Sequence, residues 1–183
     1  KYLAGHNDTL AGFVVTKTDY IIEKLRLIQK SEGAVLAPFD SWLVLRGLKT
    51  LHIRMDRQCE NAIKLAEFLS KHKNVTKVYF PGLPEHKEHE IIKKQSKAFG
   101  AMISFEVNSI ELVEKVLREV KLIMFAESLG GVDTLITYPF VQTHSAIPEE
   151  LRNKLGVNEK LLRLSVGIEN VNDLLEDLEN ALR

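Results

Sequence analysis

The chain has 183 residues, enough for one sizeable domain or for one domain and part of another. Lysine and arginine together number 25, as do aspartate and glutamate, so no net charge attracts nucleic acid or an anionic membrane surface. No apolar run approaches the roughly 20 residues that a membrane-spanning helix requires. Cys59 is the only cysteine and cannot form an internal disulfide, so we expect a buried thiol and a reducing, cytoplasmic location.

The first part of the chain predicts a short strand, a helix and then one very long helix. "LAGFVV" (10–15) is an apolar run of strand length. Thr18 or Asp19 is a candidate N-cap for a helix over "TDYIIEKLRLIQKS". From Asp40, a second candidate N-cap, the apolar period of a helix continues for about eight turns. A helix of that length predicts a spine that links two domains.

The rest of the chain mixes strands and helices without strict alternation. The helices are predicted at "HKEHEIIKKQ", "SIELVEKVLREV", "IPEELRNKLG" and "NVNDLLEDLENALR", the last with Asn170 as its candidate N-cap. The strands are predicted at "NVTKVYF", "AMISFEV", "KLIMFA", "TLITYP" and "KLLRLSVGI". Because the order is irregular, we expect an α+β fold with a largely antiparallel sheet.

Lys1 stands at the head of a glycine-containing turn, "KYLAGHND". A lysine amine condenses with aldehydes when its pKa is lowered, so a Schiff-base role is one interpretation. An ordinary exposed lysine is the other, and these residues alone favour it. No metal site is predicted, because His144 has no second histidine or cysteine at ligand spacing.

Two further stretches have candidate functional residues. Glu127 and Ser128 follow an apolar strand and precede a Gly-Gly pair, which is typical of a polar turn or of close backbone approach to a ligand. Arg163 interrupts an apolar strand, and a buried arginine needs an anionic partner. A buried ion pair with Glu127 or Asp133 and the binding of a ligand carboxylate both remain open at this point.

Taken in order, these stretches resemble the second half of the cystathionine γ-synthase and cystathionine lyase family. Its members are pyridoxal-phosphate enzymes of cysteine and methionine metabolism with the aspartate-aminotransferase type of fold (fold type I). Seven blocks in the same order carry the resemblance, which covers nearly the whole chain: "KYLAGHND", "VLAPFDSWLVLRGLKTL", "VYFPGLPEH", "FGAMISFEV", "FAESLGGVDTLITYP", "QTH" and "LLRLSVGIEN".

The resemblance assigns roles to five residues. It implies that Lys1 carries pyridoxal 5′-phosphate covalently as an aldimine, and that Ser128 helps to hold this lysine and the substrate. It implies that Arg163 binds the α-carboxylate of the substrate, which agrees with a strand arginine that needs an anion. Thr143 matches a threonine that lines the same site, and Glu127 matches a position near the distal end of the substrate.

The activity implied is γ-replacement on an O-acyl-L-homoserine by cysteine or sulfide, as in cystathionine γ-synthase or homoserine sulfhydrylase. A β- or γ-lyase acting on cystathionine is the alternative, since the branches share Lys1, Ser128 and Arg163. The family's cofactor contacts upstream of the lysine are not in this sequence, so we expect the chain alone to bind pyridoxal phosphate poorly and to be inactive. A non-catalytic dimerisation or interaction domain is the third alternative.

The resemblance also implies a division of the chain and an assembly. Residues 1–52 are expected to be the end of the α/β cofactor-binding domain and the start of the linking helix. Residues 53–183 are expected to be the small C-terminal α+β domain. The intact family members are homo-tetramers built as dimers of dimers, so we expect a homo-oligomer that acts on a small amino-acid substrate, with no nucleic-acid or membrane partner.

Overall fold

The computed structural model describes residues 1–142 and 147–183, except for the side chains of residues 149 and 153. The helices of this part are α1 (Asp19–Glu32), α2 (Pro38–Leu48), α3 (Leu51–Lys71), α4 (His89–Gln95), α5 (Ile110–Glu119), α6 (Glu149–Lys154) and α7 (Val171–Leu182). Its strands are β1 (Val75–Tyr79), β2 (Met102–Val107), β3 (Met124–Phe125), β4 (Leu135–Thr137) and β5 (Leu161–Ser165).

The strands form one sheet in the order β1-β2-β5-β4-β3. Neighbouring strands are antiparallel except for β3 and β4, which are parallel. The prediction of an α+β fold with a mostly antiparallel sheet is therefore confirmed for the described residues. The domain boundary expected between residues 52 and 53 falls in the first turn of α3 and stays a prediction.

One face of the sheet is covered by α3, α5 and α7, which also pack against one another. The contact is apolar: Leu65 of α3 and Leu178 of α7 are fully buried, as are Phe105 of β2 and Leu164 of β5. Cys59 is buried on α3, as expected. Burial of these side chains holds the helices against the sheet and leaves its other face for the site.

The other face of the sheet has a row of polar side chains that crosses four strands. Tyr79 pairs with Ser104, Ser104 with Arg163, and Arg163 with Thr137. Side chains of directly paired residues point to the same face of a sheet. The register therefore places Arg163 in the middle of this row.

The predicted strand over residues 10–15 is wrong. This segment pairs with no strand in the described part of the chain, and its apolar side chains, including Leu10 and Val15, are exposed. An extended segment becomes a strand only when a neighbour supplies hydrogen-bond partners for its backbone. The described residues place no such neighbour beside it.

The long helix predicted from residue 40 is in fact two helices. The first, α2, begins at Pro38, and proline is common in the first turn because its missing N–H has no partner there anyway. Asp40 therefore lies inside α2 and does not cap it. A short break at residues 49–50 separates α2 from α3.

The break between α2 and α3 forms around the carbonyl oxygen of Gly47. This oxygen accepts hydrogen bonds from the Thr50 amide (3.2 Å), the Thr50 hydroxyl (3.2 Å) and the Arg54 guanidinium (2.9 Å). The Ala4 carbonyl lies against the Cα of Gly47, where a side chain would overlap it. The helix is thus interrupted by contacts with the start of the chain, which the local sequence does not reveal.

The first 48 residues expose a large apolar surface. Helix α1 has no buried residue, and Tyr20, Leu27 and Ile28 on it are exposed. Phe39 and Trp42 on α2 are also exposed. Within the ranges 1–142 and 147–183, no helix combines the length and hydrophobicity needed to cross a membrane.

Candidate active site

Lys1 begins a tight turn that Gly5 closes. The Gly5 amide donates a hydrogen bond to the Lys1 carbonyl oxygen at 2.8 Å, and Gly5 has a φ of 77°, in the left-handed region that glycine tolerates best. Ala4 is buried, whereas the side chain of Lys1 is exposed. The turn fixes the main chain of Lys1 and leaves its amine accessible.

The loop after β3 packs against this turn through two glycines. A Cβ atom on Gly130 would lie 2.8 Å from the backbone nitrogen of Tyr2, and a Cβ on Gly131 would overlap the side chain of Asn7. Ser128 donates from its Oγ to the Asn7 Oδ1 at 3.4 Å. The Gly-Gly pair therefore serves close approach of two backbones, and it places Ser128 beside the Lys1 turn.

Two buried side chains, one on β5 and one on α3, hold the same loop in place. Ser165 of β5 accepts from the Gly130 amide at 2.8 Å. Gln58 of α3 donates from its side-chain nitrogen to the Gly131 carbonyl oxygen at 2.6 Å. The loop is thus held by the sheet and by α3 while it supports the Lys1 turn.

Lys1 and Ser128 line the same open cavity, which has a volume of about 530 Å³. Asn7, Asp8 and Asp40 also line it, together with apolar residues such as Leu10, so the wall of the cavity has both polar and apolar parts. The structure therefore brings together two of the residues that the sequence singled out as candidates.

Arg163 forms no ion pair with a carboxylate in the described part of the chain. Its Nη2 donates to the Thr137 hydroxyl at 3.3 Å, and that hydroxyl donates in turn to the Ala126 carbonyl oxygen at 3.0 Å. Burial lowers the pKa of Arg163, and the Glu127 carboxylate opposes this shift. An ion pair with Asp133, one of the two partners considered from the sequence, is not formed.

A second cavity, of about 250 Å³, lies in front of Arg163, with Tyr79 and Ser104 among the residues that line it. Lys1 and Arg163 thus line separate cavities within this chain. The two regions are connected by the hydrogen bond from Thr137 to Ala126, because Ala126 stands two residues before Ser128.

Of the other predicted site residues, Glu127 is exposed next to Ser128. Thr143 and His144 lie outside the described residues. Sequence reasoning missed the buried Arg54, although a signal was present. Arg54, Gln58 and Asn61 follow each other at i, i+4 and i+7 on the stripe of α3 that packs inward, where polar residues are unusual.

The Lys1 amine and the Arg163 guanidinium indicate which cofactor and substrate groups the site could bind. A primary amine exposed to an open cavity fits a cofactor that carries an aldehyde. An arginine fork with no carboxylate partner fits the carboxylate of an amino acid. Both are features of pyridoxal-phosphate enzymes that act on amino acids, the class to which this fold and site point.

The comparison with known proteins gives the family. The model of the Cys/Met metabolism PLP-dependent enzymes matches residues 1–183, and the chain belongs to this family. Cystathionine β-lyase of Coxiella burnetii is 52% identical over 184 residues, with 100% of this chain and 48% of the relative covered. Cystathionine γ-lyase of Dictyostelium discoideum is 50% identical over 183 residues, with 100% and 47% covered. The chain therefore spans about half the length of these curated relatives.

Solved structures give the same result for the fold. Cystathionine γ-synthase of Xanthomonas oryzae pv. oryzae in complex with cystathionine matches with a TM-score of 0.96 and 43% identity, over 100% of this chain and 47% of that one. Cystathionine γ-lyase of Lactobacillus plantarum complexed with L-serine matches with a TM-score of 0.94 and 44% identity, over 98% and 47%. The chain has the fold of the matching part of these enzymes.

Proposed function

We propose that this chain is the C-terminal half of a pyridoxal-phosphate enzyme that makes or breaks a carbon–sulfur bond in cystathionine. The observation that carries the proposal is the packing of the Lys1 turn against the Ser128 loop, in a chain that relatives of this kind match from end to end. Residues 1–52 then belong to the cofactor-binding domain and residues 53–183 to the small domain.

Each site residue has a role in this proposal that follows from its chemistry. The Lys1 amine would hold the cofactor and would move protons at the α- and β-carbons of the substrate. Ser128 holds the lysine and the substrate from the side of the glycine loop. Arg163 binds the substrate α-carboxylate with its planar fork. Glu127 and Thr143 keep the substrate-binding roles that the resemblance implies, although Thr143 lies outside the described residues. Pyridoxal phosphate, when bound, withdraws electrons from the substrate carbon.

The exposed apolar surface of α1 and α2 supports the assignment to half of a larger enzyme. A surface of this kind on a folded protein marks a contact with other protein. The preceding half of the parent polypeptide would cover it and would supply the remaining cofactor contacts. The chain alone is then expected to bind pyridoxal phosphate poorly and to turn over nothing.

The relatives of this chain include enzymes that cleave cystathionine and enzymes that synthesise it. The two curated relatives cited above are lyases acting on cystathionine, at 50–52% identity. We therefore propose elimination from cystathionine as the main activity. Replacement on an O-acyl-L-homoserine is the second candidate, because cystathionine γ-synthase is among the solved structures that this chain matches.

The test uses the full-length parent polypeptide loaded with pyridoxal phosphate. With cystathionine as substrate, a β-lyase releases pyruvate, ammonia and homocysteine, and a γ-lyase releases 2-oxobutyrate, ammonia and cysteine. A synthase instead forms cystathionine from O-acyl-homoserine and cysteine, with release of the acyl group as a carboxylate. A parent that does none of these contradicts the proposal.

The non-catalytic alternative has its own test. The 183-residue chain is purified, mixed with pyridoxal phosphate and examined by absorption spectroscopy and by sedimentation. A cofactor absorption band together with turnover by this chain alone would contradict the assignment to half of an active site. Homo-oligomers of the parent, with tetramers as the expected state, are measured in the same way on the full-length polypeptide.

A further inference from the structure

Arg54 is a buried arginine without a carboxylate partner in the described part of the chain. Its side chain is only 3% exposed, and burial lowers its pKa. Every hydrogen bond that it donates goes to a neutral oxygen. Because an uncompensated buried charge is destabilising, a buried arginine at this position points to something that the guanidinium holds in place.

The groups that Arg54 binds are the backbone of the Lys1 turn and the end of α2. Nη1 donates to the Tyr2 carbonyl at 2.9 Å, and Nη2 donates to the Leu3 carbonyl at 3.4 Å and the Gly47 carbonyl at 2.9 Å. The Gly47 carbonyl is at the negative end of the α2 dipole, which favours a cation there. One guanidinium therefore ties the two residues after Lys1 to the helical frame.

Two glycines make the space for this contact. A Cβ on Gly5 would overlap the guanidinium of Arg54, and a Cβ on Gly47 would overlap the Ala4 carbonyl. The Arg54 Nε donates to the Thr50 hydroxyl at 3.1 Å, which orients the plane of the fork. The guanidinium thus lies against Gly5 of the turn, and the turn itself lies against Gly47 of α2.

We infer that Arg54 is the positioning residue for Lys1. By fixing the carbonyls of Tyr2 and Leu3, it sets where the main chain of Lys1 lies relative to the Ser128 loop. Lysine at position 54 would keep the charge but lose the planar fork that reaches several carbonyls at once. The inference rests on the proposed function, since it assumes that the Lys1 amine carries the cofactor.

The experiment compares three variants of the full-length parent polypeptide with the unchanged protein. Arg54→Lys keeps the charge, and Arg54→Gln removes it. Arg57→Gln is the matched control, because Arg57 lies on the same helix three residues later and is exposed. Cofactor attachment is measured by borohydride reduction followed by peptide mapping for pyridoxylated Lys1, and kcat and KM are measured on the preferred substrate.

We expect kcat to fall about 10-fold in Arg54→Lys and about 100-fold in Arg54→Gln, since a displacement of about 1 Å of a catalytic group costs on that order. KM is expected to stay within about twofold, because Arg163 binds the substrate carboxylate elsewhere. The pH dependence of the cofactor absorbance is expected to shift in both variants. Arg57→Gln should behave like the unchanged protein.

The outcomes separate this inference from the proposed function. If the unchanged protein is not pyridoxylated at Lys1, the proposed function fails and the inference fails with it. If Lys1 is labelled but Arg54→Lys keeps the original kcat and pH profile, the inference alone is wrong. A loss of kcat accompanied by an equal loss of substrate binding in Arg54→Lys also overturns it, because this indicates a general structural role. If Arg54→Gln does not fold, Arg54→Lys decides the question.

Discussion

Thr137 couples the arginine of the site to the loop that holds Ser128. Its side chain is fully buried, accepts a hydrogen bond from Arg163 at 3.3 Å and donates one to the Ala126 carbonyl at 3.0 Å. Replacement by valine keeps the shape and removes both bonds. We predict that Thr137→Val destabilises the chain and weakens recognition of the substrate carboxylate.

The magnitude follows from the two bonds. The bond to the neutral carbonyl contributes about 1 kcal/mol, and the long bond from the charged Arg163 about 1.5 kcal/mol, at the lower end of its class. Thr137→Val should therefore lower the free energy of unfolding by about 2.5 kcal/mol. Thr137→Ser keeps the hydroxyl and loses only a buried methyl group, for about 1 kcal/mol.

The assay has two parts. Urea unfolding of the 183-residue chain, followed by circular dichroism, gives the free energies of unfolding of the two variants. Steady-state kinetics of the full-length parent should give a KM about tenfold higher for Thr137→Val than for Thr137→Ser, which corresponds to about 1.4 kcal/mol. If both variants have equal stability and equal KM, the hydroxyl does not hold Arg163 and the reasoning is refuted.

Three further predictions concern single sites. Gly5 and Gly100 have similar positive φ values of 77° and 79°, but only a Cβ at Gly5 would overlap the buried guanidinium of Arg54. Gly5→Ala should therefore lower the free energy of unfolding in urea by about 1–3 kcal/mol more than Gly100→Ala, and equal losses would contradict the packing described. The Asp177 carboxylate accepts hydrogen bonds from three backbone amides at 2.9–3.0 Å. Asp177→Asn should therefore lower the free energy of unfolding by about 2 kcal/mol. Asp173 is exposed, so Asp173→Asn should lower it by less than half as much in the same urea unfolding experiment. Burial raises the pKa of the Cys59 thiol and leaves less thiolate at pH 8, so iodoacetamide should alkylate it far more slowly in the folded chain than in urea, and equal rates would show that it is accessible.

The elements that the sequence predicted well are those whose pattern is set locally. Helix α7 begins where Asn170 was expected to cap it, and the Asn170 side chain accepts from the Asn172 amide at 3.0 Å. Strand β2 lies within the predicted segment "AMISFEV", and its side chains alternate between buried and half-buried. In these segments the local preference and the tertiary environment agree.

The failures occur where distant residues decide. The interruption after α2 depends on contacts of Gly47 with the Ala4 carbonyl and with Arg54, and the helical period does not show that these contacts form. The segment 10–15 has the composition of a strand but no partner in the described chain. The row that contains Arg163 and Thr137 depends on the register of three strand pairs, which no single segment encodes.

The residues that support the Lys1 turn lie far from it in sequence, and this affects the order in which the site forms during folding. The turn rests on Gly130, and Gly130 is held in turn by Ser165 in the strand that precedes the last helix. A ribosome must therefore release almost the whole chain before the lysine has its native neighbours. Such distant contacts form late because they require the closure of long loops. A chain that ends at residue 160 lacks Ser165, so we expect the Lys1 turn in it to lack its native support.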